Sequence, residues 1–216
     1  MATVERLPRK PGRPKGFTDV KSEIVNAAEV AFAVYGFDAA SVRQIALAAN
    51  ISPAAVLHHF GSKRKLYAGV LRGISESLES HPVLTKEIAP GADSLRQVVA
   101  AIVDWIIEND LFARIILREI MDNEERVQSA LQWPMRDGMQ VIYGAVRQAM
   151  GAKPDDPISE LLSLQVLGAA FLFYTGQPSH RSQSAVSVEG WEESFRSLLI
   201  ENTAAAVAGT GIDIGR

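Results

Sequence analysis

The chain has 216 residues, of which 47% are hydrophobic and 22% charged, values ordinary for a globular protein of one or two domains. It contains no cysteine, which excludes disulfides, thiolate zinc sites and cysteine nucleophiles and makes a reducing cytoplasm the expected location. The net charge of −3 is unevenly spread: residues 1–67 carry ten Lys and Arg against five Asp and Glu, and the rest carries twelve against twenty. A basic N-terminal third on an acidic body favours a DNA-binding head, although chance clustering in a flexible tail would give the same count.

Residues 1–17 predict an extended or disordered basic arm, because they combine three prolines and two glycines with five basic side chains. The string Lys10-Pro-Gly-Arg-Pro-Lys15 resembles the core of an AT-hook. In that interpretation the prolines hold the arm extended and Arg13 enters a narrow A·T minor groove. The alternative interpretation is a solubilising tail.

Two helices are predicted between Thr18 and residue 49. Thr18 is a good N-cap, and the apolar side chains that follow recur at helical spacing until Gly36 ends the pattern. Ser41 and Gln44 have the spacing of a capping box, which predicts the start of a second, short helix.

A third helix is expected to begin at Ser52-Pro53, since serine favours the N-cap and proline the first helical position. Gly61-Ser62 would end it and open a fourth helix. Two short helices joined by a tight turn, here between Ser41 and Lys63, are the sequence pattern of a helix-turn-helix, which places one helix in the major groove of DNA.

The remainder predicts a purely helical body. His81-Pro82 to Pro90-Gly91 is expected to be a loop, Pro134 to kink or split its helix, and residues 177–189 to form a polar loop. No segment alternates in the manner of a strand.

The predicted class is all-α, with an N-terminal three-helix helix-turn-helix domain and a larger C-terminal helical ligand-binding and dimerisation domain. The helices of the body are predicted at 93–108, 111–121, 124–150, 157–176 and 189–208. The domains are an arm at 1–17, the DNA-binding domain at 18–80, the body at 81–208 and a tail at 209–216.

The segment from Thr18 to Tyr67 resembles the DNA-binding domain of the TetR family of bacterial repressors. The pieces AAEVAFAVYGFDAASVRQIALAANIS and HHFGSKRKLY carry the resemblance, which covers about fifty residues of the chain. It implies a homodimer that blocks transcription and releases its operator when a small molecule binds.

The resemblance also assigns positions on DNA. Ser41, Arg43, His59 and Lys63 are placed at the phosphate backbone, and Pro53, Ala54, Ala55 and His58 where the recognition helix meets the groove. Because Pro53, Ala54 and Ala55 offer no hydrogen-bonding side chain, apolar contact with thymine methyls and DNA shape would carry base recognition. Leu57 replaces the family's usual tyrosine and removes a phosphate-directed hydroxyl. The full candidate DNA-binding set is Arg13, Ser41, Arg43, Ser52, Pro53, Ala54, Ala55, His58, His59 and Lys63.

Neither a metal site nor a cofactor is expected. The adjacent His58 and His59 point about 100° apart on a helix, unlike a two-ligand pair at i, i+4. The aromatic rings of Phe60 and Tyr67 are expected to pack in the core.

Apolar side chains of the body predict an effector pocket between helices, although each of them taken alone fits a plain core equally well. Arg114, Arg118 and Glu119 lie among isoleucines; solvent exposure is expected for them, and the alternative is that one of them points into the pocket. The candidate pocket residues are Trp105, Phe112, Ile116, Met121, Trp133, Met139, Tyr143, Phe171 and Tyr174.

Two helices of the body carry apolar faces suited to a partner copy. In helix 157–176 one face comprises Leu161, Leu164, Gly168 and Phe171–Leu172, and helix 189–208 has its own apolar stripe. Packing against symmetry mates would give a four-helix dimer interface, whereas a larger monomeric core is the alternative. The apolar stretch 161–174 is shorter than the roughly 18–20 residues of a membrane span, so no membrane partner is expected.

These features predict a cytoplasmic, homodimeric transcriptional regulator that binds a near-palindromic operator and responds to a small apolar or aromatic effector. Common enzyme signatures, such as G-x-S-x-G and H-E-x-x-H, do not occur in the sequence, so no enzymatic activity is expected. Two alternatives stay open: a small helical enzyme with an incidental basic N-terminal domain, and a ligand-independent architectural DNA binder.

Overall fold

The computed structural model describes residues 20–122, 133–183 and 189–209, and the regular elements in these ranges are all α-helices. The all-α prediction is therefore confirmed. The arm with Arg13, the cap predicted at Thr18 and the C-terminal tail lie outside the described residues, as do 123–132 and 184–188.

Four helices form the N-terminal part, called the head below. Its turns follow the local signals of the sequence: Gly36 leaves the helical conformation with φ of 75°, Asn50 turns the chain with φ of 56°, and Gly61 does so with φ of 76°. Glycine tolerates such positive φ without a steric penalty. The helices of the head are α1 (Val20–Ala39), α2 (Val42–Ala48), α3 (Pro53–Phe60) and α4 (Lys63–Glu79).

The helices that follow form the body. Residues 133–135 are not helical and the next helix starts directly after them, so the described part of the predicted helix 124–150 begins only after Pro134. The prediction of a loop from residue 177 is wrong over 177–183, where the helix continues, because a polar composition alone does not stop a helix. The helices of the body are α5 (Ala92–Glu108), α6 (Asp110–Asp122), α7 (Arg136–Met150), α8 (Pro157–Gln183) and α9 (Trp191–Gly209).

Helix α4 is shared between the head and the body. It packs against α1 and α3 on the head side and against α7 on the body side. Leu66, Val70, Ile74 and Leu78 are all fully or almost fully buried along it, and each buried aliphatic side chain contributes roughly 1.5–3 kcal/mol. Helix α4 therefore links the head to the body, together with the packing of α1 against α6.

Helix α5 is the centre of the body and contacts α6, α7, α8 and α9. Its outer contact with α9 includes a bidentate pair in which Arg196 donates from Nε and Nη2 to the two oxygens of Asp104, both at 2.8 Å. Arg96 on α5 pairs with Glu201 on α9 at 3.0 Å. The planar fork of arginine matches a carboxylate, so these pairs fix the register of the two helices more than they add stability.

Residues 157–177 of α8 are long and apolar enough to cross a membrane by length and composition alone. This corrects the expectation that no stretch reaches that length. In the structure this helix packs in the bundle against α5, α6, α7 and α9, as a core helix of a helical domain does.

Candidate nucleic-acid interface and effector region

Helix α2 begins with a complete capping box. The Ser41 hydroxyl accepts from the backbone N–H of Gln44 at 3.2 Å, and the Gln44 amide oxygen accepts from the backbone N–H of Ser41 at 2.8 Å. The capping box predicted from the sequence is therefore confirmed. Because both side chains are used in the cap, the phosphate-binding capacity of this helix start rests on its backbone N–H groups and on the exposed Arg43 beside them.

Helix α3 is capped by Ser52, whose hydroxyl accepts from the N–H of Ala55 at 3.1 Å, with Pro53 at the first helical position. Val56 is buried and fixes the helix to the core. The opposite face is exposed and comprises Pro53, Ala54, Leu57 and His58, whereas Ala55 and His59 are half-buried. An exposed face on the second helix of a helix-turn-helix is the surface that enters the major groove.

The structure gives Lys63 a role that sequence reasoning missed. Its ammonium donates to the backbone carbonyls of Phe37 at 2.7 Å, Asp38 at 3.2 Å and Ala40 at 2.9 Å. It also lies 4.5 Å from the centroid of the Phe37 ring. Since an ammonium has three N–H donors, all of them are occupied at the end of α1. In this structure the Lys63 side chain therefore ties α4 to α1, and its contact with a phosphate stays a prediction.

Other basic groups lie at the same end of the head. Arg64 and Lys65 in the first turn of α4 are exposed, and Ser62 caps that turn by accepting from the N–H of Lys65 at 3.2 Å. The rings of His58 and His59 meet edge to face at 5.6 Å. Among the residues that the structure describes, no group of three or more His, Asp or Glu side chains could hold a metal ion.

An aromatic cluster fills the junction between the head and the body. Tyr67 meets the rings of Phe32 and Phe37 at centroid distances of 4.8 and 5.0 Å and is buried, as expected for a core residue. Its hydroxyl donates to Oε2 of Glu119 at 2.7 Å. Glu119 is fully buried, so the expectation of solvent exposure is wrong for this residue. A buried carboxylate needs hydrogen-bond donors, and α4 supplies one to α6.

Arg118 on α6 forms hydrogen bonds with the backbone near the end of α1. It donates from Nε to the carbonyl of Ala33 at 3.2 Å and from Nη2 to the carbonyl of Val34 at 3.1 Å. These carbonyls lie in the turn before Gly36, where α1 loses its helical hydrogen bonding and has acceptors to offer. The contact joins residues 84 and 85 positions apart, so no local pattern reveals it.

Ser75 on α4 acts as the N-terminal cap of α7, although it belongs to another helix. Met135, at the N-cap position of α7, makes no side-chain cap. Instead, the Ser75 hydroxyl accepts from the N–H of Gly138 at 2.8 Å and donates to Glu79 at 2.6 Å. A Cβ added at Gly138 would lie 2.8 Å from Cα of Ser75, so glycine permits this close approach.

The structure places eight of the nine candidate pocket residues in or against the core of the body. Trp105 and Phe112 face each other at 6.3 Å, and the Trp105 indole donates to Ser77 on α4 at 3.2 Å. Met121 is 72% exposed at the end of α6, which corrects its assignment to an interior pocket. Buried or half-buried members are Trp105, Phe112, Ile116, Trp133, Met139, Tyr143, Phe171 and Tyr174.

Besides Trp105, three of these residues carry polar groups, namely Tyr143, Tyr174 and Trp133. Burial and then the nearby Glu160 carboxylate raise the pKa of Tyr143. Burial, followed by Glu192, raises the pKa of Tyr174 to about 12, so both phenols stay neutral at physiological pH. The indole Nε1 of Trp133 is buried and has no hydrogen-bond partner in the part of the chain that the structure describes.

The outer faces of α8 and α9 expose large apolar side chains. Leu161, Leu164 and Leu172 on α8 are 60%, 53% and 63% exposed, and Leu198 on α9 is 60% exposed. Gly168 lies on the same face of α8, whereas Phe171, predicted for that face, is buried. The leucines of α8 recur at helical spacing, and together with Leu198 they are called the apolar stripe below.

The head matches a known family over most of its length. Residues 24–70 match the model of "Bacterial regulatory proteins, tetR family". Over 100 residues the chain is 30% identical to the HTH-type transcriptional repressor NicS of Pseudomonas putida, which covers 46% of this chain and 47% of that protein. The chain thus spans about half the length of the curated relatives it matches.

Solved structures resemble the fold over nearly the whole chain. A bacterial regulatory protein in the tetR family from Rhodococcus RHA1 superposes with a TM-score of 0.63 at 22% identity, covering 88% of this chain and 98% of the other. The transcriptional regulator FadR of Bacillus subtilis, solved in complex with stearoyl-CoA, gives 0.58 at 14% identity, covering 83% and 97%. At such identities the likeness concerns the fold. The match over residues 24–70 coincides with the capped helix-turn-helix, so the head of this chain is similar to bacterial regulatory proteins of the tetR family.

Proposed function

We propose that this chain is a DNA-binding transcriptional regulator, a repressor released from its operator by a small molecule. The observation that carries the proposal is the exposed face of α3, capped at Ser52, within the segment that matches the family. The helices before and after α3 in the chain start at the caps Ser41 and Ser62, and helix N-termini bind phosphates. A repressor among the relatives, NicS, supports the direction of regulation.

We further propose that the protein acts as a cytoplasmic homodimer on a near-palindromic site. Two recognition helices must lie about 34–36 Å apart to enter successive major grooves. The apolar stripe of α8 and α9 provides a surface for the second copy, and four helices packed about a two-fold axis would bury it.

A pooled-oligonucleotide selection tests DNA recognition. We expect a near-palindromic consensus, and A·T pairs flanking its half-sites would support a minor-groove role for Arg13 in the arm. If six or more phosphates are neutralised by each dimer, the logarithm of the binding constant should fall with that of salt concentration at a slope of roughly −5 or steeper. Equal affinity for every duplex, or a slope near zero, would overturn the proposal.

The effector we propose is a largely apolar molecule that carries a hydrogen-bond acceptor. The aromatic and aliphatic side chains around Trp105 and Met139 favour apolar surface, and the buried N–H of Trp133 favours an acceptor. Leaving such a donor unsatisfied costs roughly 1–3 kcal/mol. FadR, bound to stearoyl-CoA, is a fold neighbour that takes an acyl ligand of this general chemistry.

The effector can release DNA only if it binds more tightly to the dimer whose heads have a spacing that does not fit the operator. A tryptophan fluorescence titration with fatty acids and with matched hydrocarbons tests the effector class. We expect Trp133→Phe to lower affinity for the acids more than for the hydrocarbons. Acids that bind the body without changing operator affinity would show an architectural DNA binder instead.

A further inference from the structure

The recognition helix presents an unusual surface to DNA. Of the four side chains on the exposed face of α3, only His58 has a hydrogen-bonding group, whereas Pro53 and Ala54 are short and Leu57 is long and apolar. Leu57 is 44% exposed, while its neighbour Val56 is buried and supplies the contact with the core. An exposed leucine alone needs no explanation. An exposed leucine in the middle of the helix that is proposed to enter the groove does need an explanation.

Helical geometry places Leu57 where it can reach the base edges. Pro53 and Leu57 are four residues apart and lie one above the other on the helix, as do Ala54 and His58. The small side chains of Pro53 and Ala54 let the helix approach closely, and Leu57 projects beyond both of them.

The chemistry of the major groove selects one partner for such a side chain. Thymine is the only standard base that carries a methyl group there, whereas the other base edges present hydrogen-bond donors and acceptors that a leucine would leave unsatisfied. A polar base edge under Leu57 would lose water without gaining a partner.

We propose that Leu57 reads a thymine in each half-site by packing on its 5-methyl group. The inference rests on the proposed function, since it requires that α3 enter the groove. It makes Leu57, rather than the half-buried Ala55, the main apolar contributor to sequence specificity. A leucine at this position is then a specificity determinant, not only the loss of a phosphate-directed hydroxyl.

Replacement of thymine by deoxyuracil tests this contact, because it removes the methyl group and leaves base pairing unchanged. In a consensus duplex obtained by selection, each thymine is replaced in turn, and affinity is measured for the native protein and Leu57→Ala. We expect one position in each half-site at which uracil weakens the native protein about fourfold. The same replacement should not affect Leu57→Ala.

A second measurement and two variants secure the interpretation. At the sensitive position, cytosine should bind weakly and 5-methylcytosine should recover part of the affinity, because it returns a methyl group to the same place. Leu57→Gln, which keeps side-chain length, should lose the uracil effect. Leu47→Ala, which removes a 68% exposed leucine from α2, should retain it.

Equal uracil effects in the native protein and in Leu57→Ala, or a lack of any sensitive position, would overturn the inference while leaving the proposed function intact. Failure of the selection to yield any preferred duplex would instead overturn the proposed function.

Discussion

At the scale of single residues, the contacts that matter most are made by charged side chains with backbone carbonyls. Lys63 and Arg118 both donate to carbonyls around the end of α1, from α4 and α6 respectively. A helix C-terminus carries unsatisfied acceptors and partial negative charge, which favours cations there. The two side chains thus fix α1 against both the head and the body.

Replacement of Lys63 by methionine should destabilise the head, because the ammonium is lost while most of the aliphatic stem remains. We expect a loss of about 1–3 kcal/mol in the free energy of unfolding, measured by urea denaturation. Lys65→Met, the same change at an exposed lysine, is the control and should change stability little. An unchanged stability, with a salt slope shallower by about one, would return Lys63 to the phosphate contact first predicted.

His81 should make stability depend on pH. Its Nδ1 accepts from the N–H groups of Val83 and Leu84 at 3.3 and 3.4 Å, which requires the neutral ring. Burial lowers its pKa below the ordinary 6.5, opposed by the nearby carboxylates of Glu108 and Asp104. As pH falls, the unfolded chain therefore takes up this proton at a higher pH than the folded chain does. The free energy of unfolding should decrease as pH drops below about 6.5 and through the lower pKa of His81 in the folded state.

The control for this prediction is His81→Asn, which keeps an acceptor close to the position of Nδ1 and does not titrate. The difference in unfolding free energy between the two proteins should be constant above pH 7. Below pH 6.5 the native protein should lose more of its unfolding free energy than His81→Asn does. Parallel profiles across the whole range would contradict the role given to His81.

At the scale of helices, α4 and α7 meet at the close approach of Ser75 and Gly138. Gly138→Ala should force these helices apart, because the new Cβ would lie 2.8 Å from Cα and 2.9 Å from Oγ of Ser75. We expect a destabilisation of about 1–3 kcal/mol in urea unfolding. Gly144→Ala on the same helix meets no atom within 4 Å and should stabilise by about 0.5–1 kcal/mol. A change in unfolding free energy of the same sign in Gly138→Ala and Gly144→Ala would argue against a tight contact at Gly138.

The sequence could predict the parts of this structure that depend on near neighbours. Capping at Ser41 and Ser52 and the turn at Gly61 follow from residues within a few positions of each other. The partners of Lys63 and Arg118 are 23–26 and 84–85 positions away, beyond any periodic pattern. Glu119 was expected in solvent because an isolated carboxylate avoids the core, and only the fold brings the Tyr67 hydroxyl to it.

At the scale of the whole molecule, the apolar stripe on α8 and α9 should determine the oligomeric state. Leu164→Glu would place two carboxylates against each other or against apolar surface at the proposed interface. We expect sedimentation equilibrium to show a monomer. Affinity for the operator should also fall, because each half-site is then bound by a separate monomer. Leu47→Glu, a like change at an exposed leucine of the head, should remain dimeric. A dimer that survives Leu164→Glu would place the second copy on another surface.

The cap that Ser75 provides for α7 bears on how such proteins can be recombined. A chimera that joins this head to a foreign body would keep the serine on α4 but need a glycine, or a similarly open start, on the helix it meets. A chimera cut before Lys63 would instead carry α4 with the body and lose the lysine that closes the end of α1. A crossover after Glu79 keeps the Lys63 contact within the head, and the foreign body must then supply a glycine at the position of Gly138 to meet Ser75.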